Sequence, residues 1–272
     1  MTRWLVQFGY DGLPFAGWAR QPRLRTVEGE ILSGLPRCGV VRSAPEAELQ
    51  VASRTDRGVS ARANAITVRS DLSGTVLLRA LNGIAPEVFF TRASEVPDSF
   101  RVRAAEWREY RYLLPRDEPG LEKWPALLPL FTGRPIDVRS LARGVPGGEP
   151  CWREIESIQL EERGEFAFLR LRARGFLWGM VRKIVGTLRG VGTGRIEEAR
   201  LRQALEGRER LTLPLAEGEP LLLWEVHYAL PWQVSADRRP RRQAAWFDDE
   251  RRRARLRSAL LDQLVGGPQD PQ

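Results

Sequence analysis

The residues best suited to chemistry lie together in Ser53-Arg54-Thr55-Asp56-Arg57-Gly58-Val59, seven residues between two β-like runs. Residues 49–52 precede the stretch and 63–68 follow it. Asp56 is therefore expected on a connecting loop, where function concentrates, with Gly58 easing the turn. Arg54 and Arg57 bracket the carboxylate, and nearby cations favour its charged form. An ionised carboxylate suits a nucleophile or an electrostatic base better than a proton donor. The same residue types also read as a loop aspartate in an Asx turn with surface ion pairs, since structural pairs perturb carboxylates too. On this stretch alone both readings stand.

The remaining composition narrows the chemistry. There is one histidine, His227, so a multi-histidine metal site is impossible. A Ser-His-Asp triad would rest on that residue with no nucleophile-elbow motif beside it. Cys38 and Cys151 form no spacing motif and fit a reducing compartment without a disulfide framework. Neither a phosphate-binding G-x-x-x-x-G-K-[ST] loop nor a dinucleotide G-x-G-x-x-G fingerprint occurs. An enzyme of this composition must work with carboxylate, tyrosine and arginine, without a nucleotide cofactor of the usual kinds.

The chain has 272 residues, 42% hydrophobic and 29% charged, enough for one large domain or two smaller ones. No apolar run is long enough to cross a bilayer and the first residues are no signal peptide, so the expectation is a cytoplasmic protein without membrane association. A net charge of +8 points to a polyanionic partner. All but two of the 43 basic residues are arginine, which weakens the case for any single one.

The elements that must position Asp56 follow in order. A strand is read at 3–10, then a helix capped by Thr26, with Val27, Ile31 and Leu35 on one face, ended by Pro36. Strands follow near 48–53 and 64–69, a helix near 73–82 and a strand at 87–92. The order β-α-β-β-α-β is the split-βαβ, ferredoxin-like signature. The second part repeats it: a strand at 107–114, a weak helix near 137–143, strands near 152–160 and 165–174, helices at 177–191 and 195–206, and a strand at 221–229. The fold class is α+β, with two ferredoxin-like halves, 1–100 and 101–234, whose antiparallel sheets form a central cleft. If the sheets join edge to edge, helices cover one face and the cleft opens on the other. A basic tail, 235–272, contains Arg238, Arg239, Arg241 and Arg242, then a short amphipathic helix marked by Leu256, Leu260 and Leu264.

Three features of the second half bear on function. In the strand at 165–174, Arg170, Arg172 and Arg174 alternate with apolar residues, a row able to track phosphates or equally a solvated strand face. In the helix at 177–191, Gly179, Gly186 and Gly190 oppose an apolar stripe, which predicts close approach of another backbone. Tyr110 and Tyr112 share one face of their strand, a pattern that core packing alone also produces.

Together these pieces resemble the TruA-type tRNA pseudouridine synthases, in order over most of residues 4–228. Tyr10-Asp11-Gly12 with Phe15-Ala16-Gly17-Trp18 is similar to the family's opening motif, and 53–59 resembles its catalytic-aspartate motif. Arg108-Glu109-Tyr110-Arg111-Tyr112 resembles the segment carrying the active-site tyrosine. Met180-Val181-Arg182-Lys183-Ile184-Val185-Gly186 and Leu213-Pro214-Leu215-Ala216-Glu217-Gly218 are similar to two later signatures. After Gly58-Val59 the family usually has histidine, and here Ser60 stands.

The resemblance implies that Asp56 is the catalytic aspartate, Tyr110 stacks on the target base and later moves a proton, and Arg182 partners the aspartate. Arg54 would fill the space left by a flipped base. Arg57, Arg170, Arg172, Arg174 and Lys183 are expected to bind RNA. It implies uridine-to-pseudouridine conversion at positions 38–40 of the tRNA anticodon stem-loop, by a homodimer without cofactor or metal. The alternative is a TruA-like RNA-binding protein impaired in catalysis, prompted by Ser60, a short 144–150 segment and the long basic tail.

Overall fold

Apolar residues at every second position, Trp4, Val6, Phe8 and Tyr10, give a strand with one continuous apolar face, and its other face, Leu5 and Gln7 included, is buried as well. That strand, β1 (Thr2–Tyr10), pairs antiparallel with both β3 (Ser60–Ser70) and β4 (Val88–Glu95). The computed structural model describes residues 1–146, 148–236 and 241–265. Between the strands run α1 (Val27–Arg37), the short β2 (Gln50–Val51) and α2 (Gly74–Leu81). The Thr26 hydroxyl caps α1 by accepting from the Gly29 N–H at 3.2 Å, and Pro36 lies in the last turn rather than beyond it.

The second half opens with β5 (Trp107–Pro115). Helical turns then span 121–131, including α3 (Trp124–Leu127). The helix expected near 137–143 is absent. Instead β6 (Ile136–Asp137) pairs with β7 (Trp152–Arg153), and the buried Asp137 carboxylate accepts from the backbone N–H groups of Arg139 and Cys151. A side chain that takes local amide protons competes with helix formation. The strand expected at 152–160 accordingly splits, and β8 (Ser157–Arg163) begins afresh beside β9 (Phe166–Ala173). α4 (Met180–Gly192), α5 (Glu198–Leu205), β10 (Leu221–His227) and β11 (Val234–Ser235) complete the half.

The two strand sets join edge to edge in one sheet, ordered β11-β4-β1-β3-β10-β5-β9-β8, with β2 beside β3. Each half shows the ferredoxin-like order, β4-β1-β3-β2 and β10-β5-β9-β8, and the seam between β3 and β10 is parallel. Across the seam the register aligns Tyr10, Ala61, Leu223, Tyr110, Leu171 and Ile158 in one row, so these side chains share a face. That is the face on which α2 approaches Trp4 and Arg189 of α4 reaches the Tyr112 ring. The cleft therefore lies on the helix-bearing face, beside the start of α4, and not on the opposite face as expected.

α4 carries the expected apolar stripe, fully buried at Ile184, Val185 and Leu188. Gly186 meets a backbone: a Cβ there would stand 2.4 Å from the Pro214 carbonyl oxygen. Gly179 is outside the helix, capping it at φ 71°, a conformation that suits glycine.

The C-terminal helix is longer than expected. α6 (Arg241–Val265) is anchored at its start, where the buried Gln243 amide donates to the carbonyls of Asn82, Ala85 and Val88. Phe247 packs edge-on against Phe89, which places α6 on the sheet face away from Tyr110. Arg238 and Arg239 lie outside the described residues. Among the described residues no helix is long and apolar enough to cross a membrane.

Candidate active site

Asp56 sits on the loop between β2 and β3, and that loop is held from several sides. The Trp18 N–H donates to the Thr55 carbonyl at 3.0 Å, and the Tyr10 and Thr55 hydroxyls lie 2.8 Å apart. The Asn64 amide donates to the Ser53 carbonyl at 2.8 Å. Gly218 lets the 213–218 segment press on the loop, since a Cβ there would come within 2.4 Å of the Arg57 carbonyl oxygen. That segment touches α4 at Gly186 and the aspartate loop at Gly218, and so ties one to the other.

Both oxygens of the half-buried Asp56 carboxylate are engaged. Arg182 Nη1 donates to Oδ2 at 2.7 Å, and Trp178 Nε1 donates to Oδ1 at 2.7 Å. Arg182 is aimed in turn by its Nε, which donates to the Ala216 carbonyl at 2.7 Å, while the Ala216 N–H returns a bond to the Arg182 carbonyl. Arg54 and Arg57, which bracket Asp56 in sequence, make no ion pair with it; both are exposed. The partners come instead from α4 and the residues just before it.

The carboxylate lines a cavity of about 890 Å³ at the seam of the two halves, within the range of roughly 300–1,000 Å³ typical of ligand sites. Tyr110 forms part of its floor, edge-on to Phe176 with ring centroids 5.2 Å apart. Burial pushes the Tyr110 hydroxyl up to about 12, with Arg108 and Ser53 opposing and the Asp56 charge adding to the rise. The ring thus enters neutral chemistry as an uncharged phenol. Arg108 is buried, lines the cavity and has no carboxylate partner among the described residues. Its guanidinium donates to the Ser53 hydroxyl and to the carbonyls of Arg103 and Arg174. An unpaired guanidinium in a low-dielectric wall gives the cavity a positive field.

The structure gathers Asp56, Tyr110, Arg182, Arg54, Arg57 and Arg174 at this cavity. It does not bring Arg170 and Arg172 there. Their strand partners are Arg111 and Glu109, on the face away from Tyr110. The buried Glu109 carboxylate accepts from Arg111, Arg170 and Arg172, and Glu161 also pairs with Arg170. Burial works against the charge of Glu109, but the Arg111 and Arg170 guanidiniums more than offset it and hold its carboxyl below the ordinary value. Lys183 points along another direction, its Nζ donating to the Ser140 carbonyl at 2.9 Å. Burial, with Arg210 and Arg143 nearby, pulls its ammonium below the usual lysine range. His227 stacks on Trp107, 4.6 Å between centroids, and is not among the residues that line the cavity.

Trp178, Arg108 and the Ala216 carbonyl are the contributors that sequence reasoning passes over. Trp178 reads as the start of an apolar helix, and nothing in local spacing reveals a bond to a residue 122 positions away. Gly179 offers the single local hint, because a glycine cap leaves the preceding side chain outside the helix.

Comparison with known proteins adds an independent line. Residues 136–229 match a family model described as tRNA pseudouridine synthase. A Thermococcus kodakarensis protein named tRNA pseudouridine synthase A is 36% identical over 225 residues, covering 82% of this chain and 84% of its own. Its namesake from Pyrococcus horikoshii is 36% identical over 226 residues, with 82% and 84% covered. The namesake from Methanoculleus marisnigri is 33% identical over 230 residues, with 83% of each chain covered.

Proposed function

The chain belongs to the tRNA pseudouridine synthase A family, isomerases that act on tRNA, and we propose that it converts uridine to pseudouridine at positions 38–40 of the anticodon stem-loop, with Asp56 as the catalytic carboxylate. The observation that carries this reading is the Asp56 carboxylate, fixed at both oxygens and facing a cavity floored by Tyr110.

In the isomerisation the N1–C1′ bond of uridine breaks and a C5–C1′ bond forms. C5 gives up a proton and N1 gains one, so the sum of atoms and electrons is unchanged and no further reactant is required. Asp56 acts on the sugar or on the uracil ring during the exchange. The target base must first leave its stack at a cost of a few kcal/mol. Stacking on the Tyr110 ring offsets about 1–3 kcal/mol of that, and the exposed Arg54 at the cavity wall takes the place of the departed base. Arg57, Arg174 and the buried Arg108 supply positive charge for the phosphates around it. The anticodon location and a homodimer follow from the motif resemblance, a cytoplasmic site of action follows from the cysteine usage, and all three form part of the same proposal.

Asp56→Asn is expected to bind unmodified tRNA as the wild type does and to form no pseudouridine. Undiminished turnover would reject the reading. Mapping pseudouridine in treated tRNA checks the target, and modification outside positions 38–40 would reject that part alone. Turnover by the purified wild-type protein excludes the alternative of an RNA-binding protein without catalysis.

A further inference from the structure

Trp178 is 56% exposed, yet its indole N–H is directed inward onto Asp56 Oδ1 at 2.7 Å. The ring is braced from outside. The Arg143 guanidinium stacks 4.2 Å from its centroid, and the Arg143 N–H donates to the Trp178 carbonyl at 2.8 Å. The segment carrying Arg143 is itself tied to α4, because Lys183 Nζ donates to the carbonyls of Ser140 and Ala142 at 2.9 and 3.5 Å. Two separate supports therefore meet at one carboxylate. Arg182 holds Oδ2 and is anchored on Ala216, while Trp178 holds Oδ1 and is anchored on residues 140–143.

We infer that Trp178 is a positioning residue of the isomerisation: its indole N–H fixes the rotation of the Asp56 carboxylate, and the 140–143 segment sets the ring through Arg143. The inference rests on the reading of Asp56 as the catalytic carboxylate. The terminal torsion of an aspartate is broad, so a carboxylate held at one oxygen swings. Small misplacements of a reacting group are expensive in rate. The ring itself is mostly exposed, so replacing it leaves the core intact. Loss of the N–H alone is then a loss in turnover and not in tRNA binding.

The test compares full-length Trp178→Phe and Trp178→His with the wild type on an unmodified tRNA transcript. Trp178→Phe is expected to lower kcat by about tenfold to a hundredfold, the range for a hydrogen bond to a charged group, with KM unchanged. Trp178→His, which keeps a ring N–H, recovers part of that loss. In the amide and indole NMR spectrum, the Trp178 indole resonance, assigned by its absence in Trp178→Phe, shifts in Asp56→Ala. A wild-type kcat in Trp178→Phe, a defect confined to KM, equal impairment of the Phe and His variants, or an unmoved indole resonance would each overturn the inference. An inactive Asp56→Asn beside an unimpaired Trp178→Phe sinks only the positioning role, whereas an active Asp56→Asn removes the functional reading itself.

Discussion

At the scale of single residues, the site depends on donors that meet Asp56 from far along the chain. Arg182 spans two acceptors, the Asp56 carboxylate and the Ala216 carbonyl, using two nitrogens of one planar group. A lysine offers one compact charge on a flexible stem, without the planar fork that fixes both bonds at once. Arg182→Lys is therefore expected to lose a charge-assisted hydrogen bond, about 1.5–3 kcal/mol, or roughly one to two orders of magnitude in kcat. Single-turnover kinetics at saturating enzyme measure this directly, and a rate within twofold of wild type would contradict it. The arginines next to Asp56 in sequence take another part. Arg54 and Arg57 face solvent at the cavity, free to meet an incoming polyanion.

At the scale of elements, strand parity decides which basic groups serve the cavity. Arg170 and Arg172 belong to the face of β9 opposite Leu171, where Glu109 collects three guanidiniums. Arg174 follows the end of β9, escapes the alternation and lines the cavity. Each phosphate contact removed should lower the salt dependence of RNA binding by about one in log–log slope. Arg57→Ala and Arg174→Ala are expected to reduce the slope by that amount each, and Arg170→Ala and Arg172→Ala to leave it unchanged. Filter binding of tRNA across a salt series separates the two pairs, and a reduced slope for Arg170→Ala would bring the far face into RNA contact. The row of three arginines was legible in the sequence. Its division between two faces was not, because that depends on where β9 ends and what sits beside it.

At the scale of the whole molecule, one sheet spans both halves and buries every tyrosine of the chain. Burial pushes the hydroxyls of Tyr110 and Tyr112 up to about 12 from an ordinary 10.0, and raises those of Tyr10 and Tyr228 as well. The sign of the linkage follows. Above pH 10 the unfolded chain releases phenolic protons that the folded chain keeps, so the unfolded state binds fewer protons and stability falls as pH rises. The contribution is complete below pH 10 and is lost through about pH 12. Urea melts at pH 9, 10 and 11 are expected to show midpoints that fall slightly over the first step and more steeply over the last. Tyrosinate absorbance at pH 11 should stay low until the protein unfolds. A native-state rise in that absorbance at pH 10 would show the rings to be less enclosed than the sheet makes them.

By itself the sequence determined the ferredoxin-like alternation of the first half, the loop that carries Asp56, the strand that carries Tyr110 and the helix that carries Arg182, but it misplaced the first helix of the second half. These are local matters of alternation, helical spacing and turn residues, and neighbours in the chain suffice to read them. Only the tertiary structure decided which face holds the cleft, which arginines reach it and that Trp178 closes on the second oxygen of Asp56. Those outcomes depend on the parallel seam between β3 and β10, formed by strands more than 150 residues apart, and contacts across such a separation leave no periodic trace in the chain.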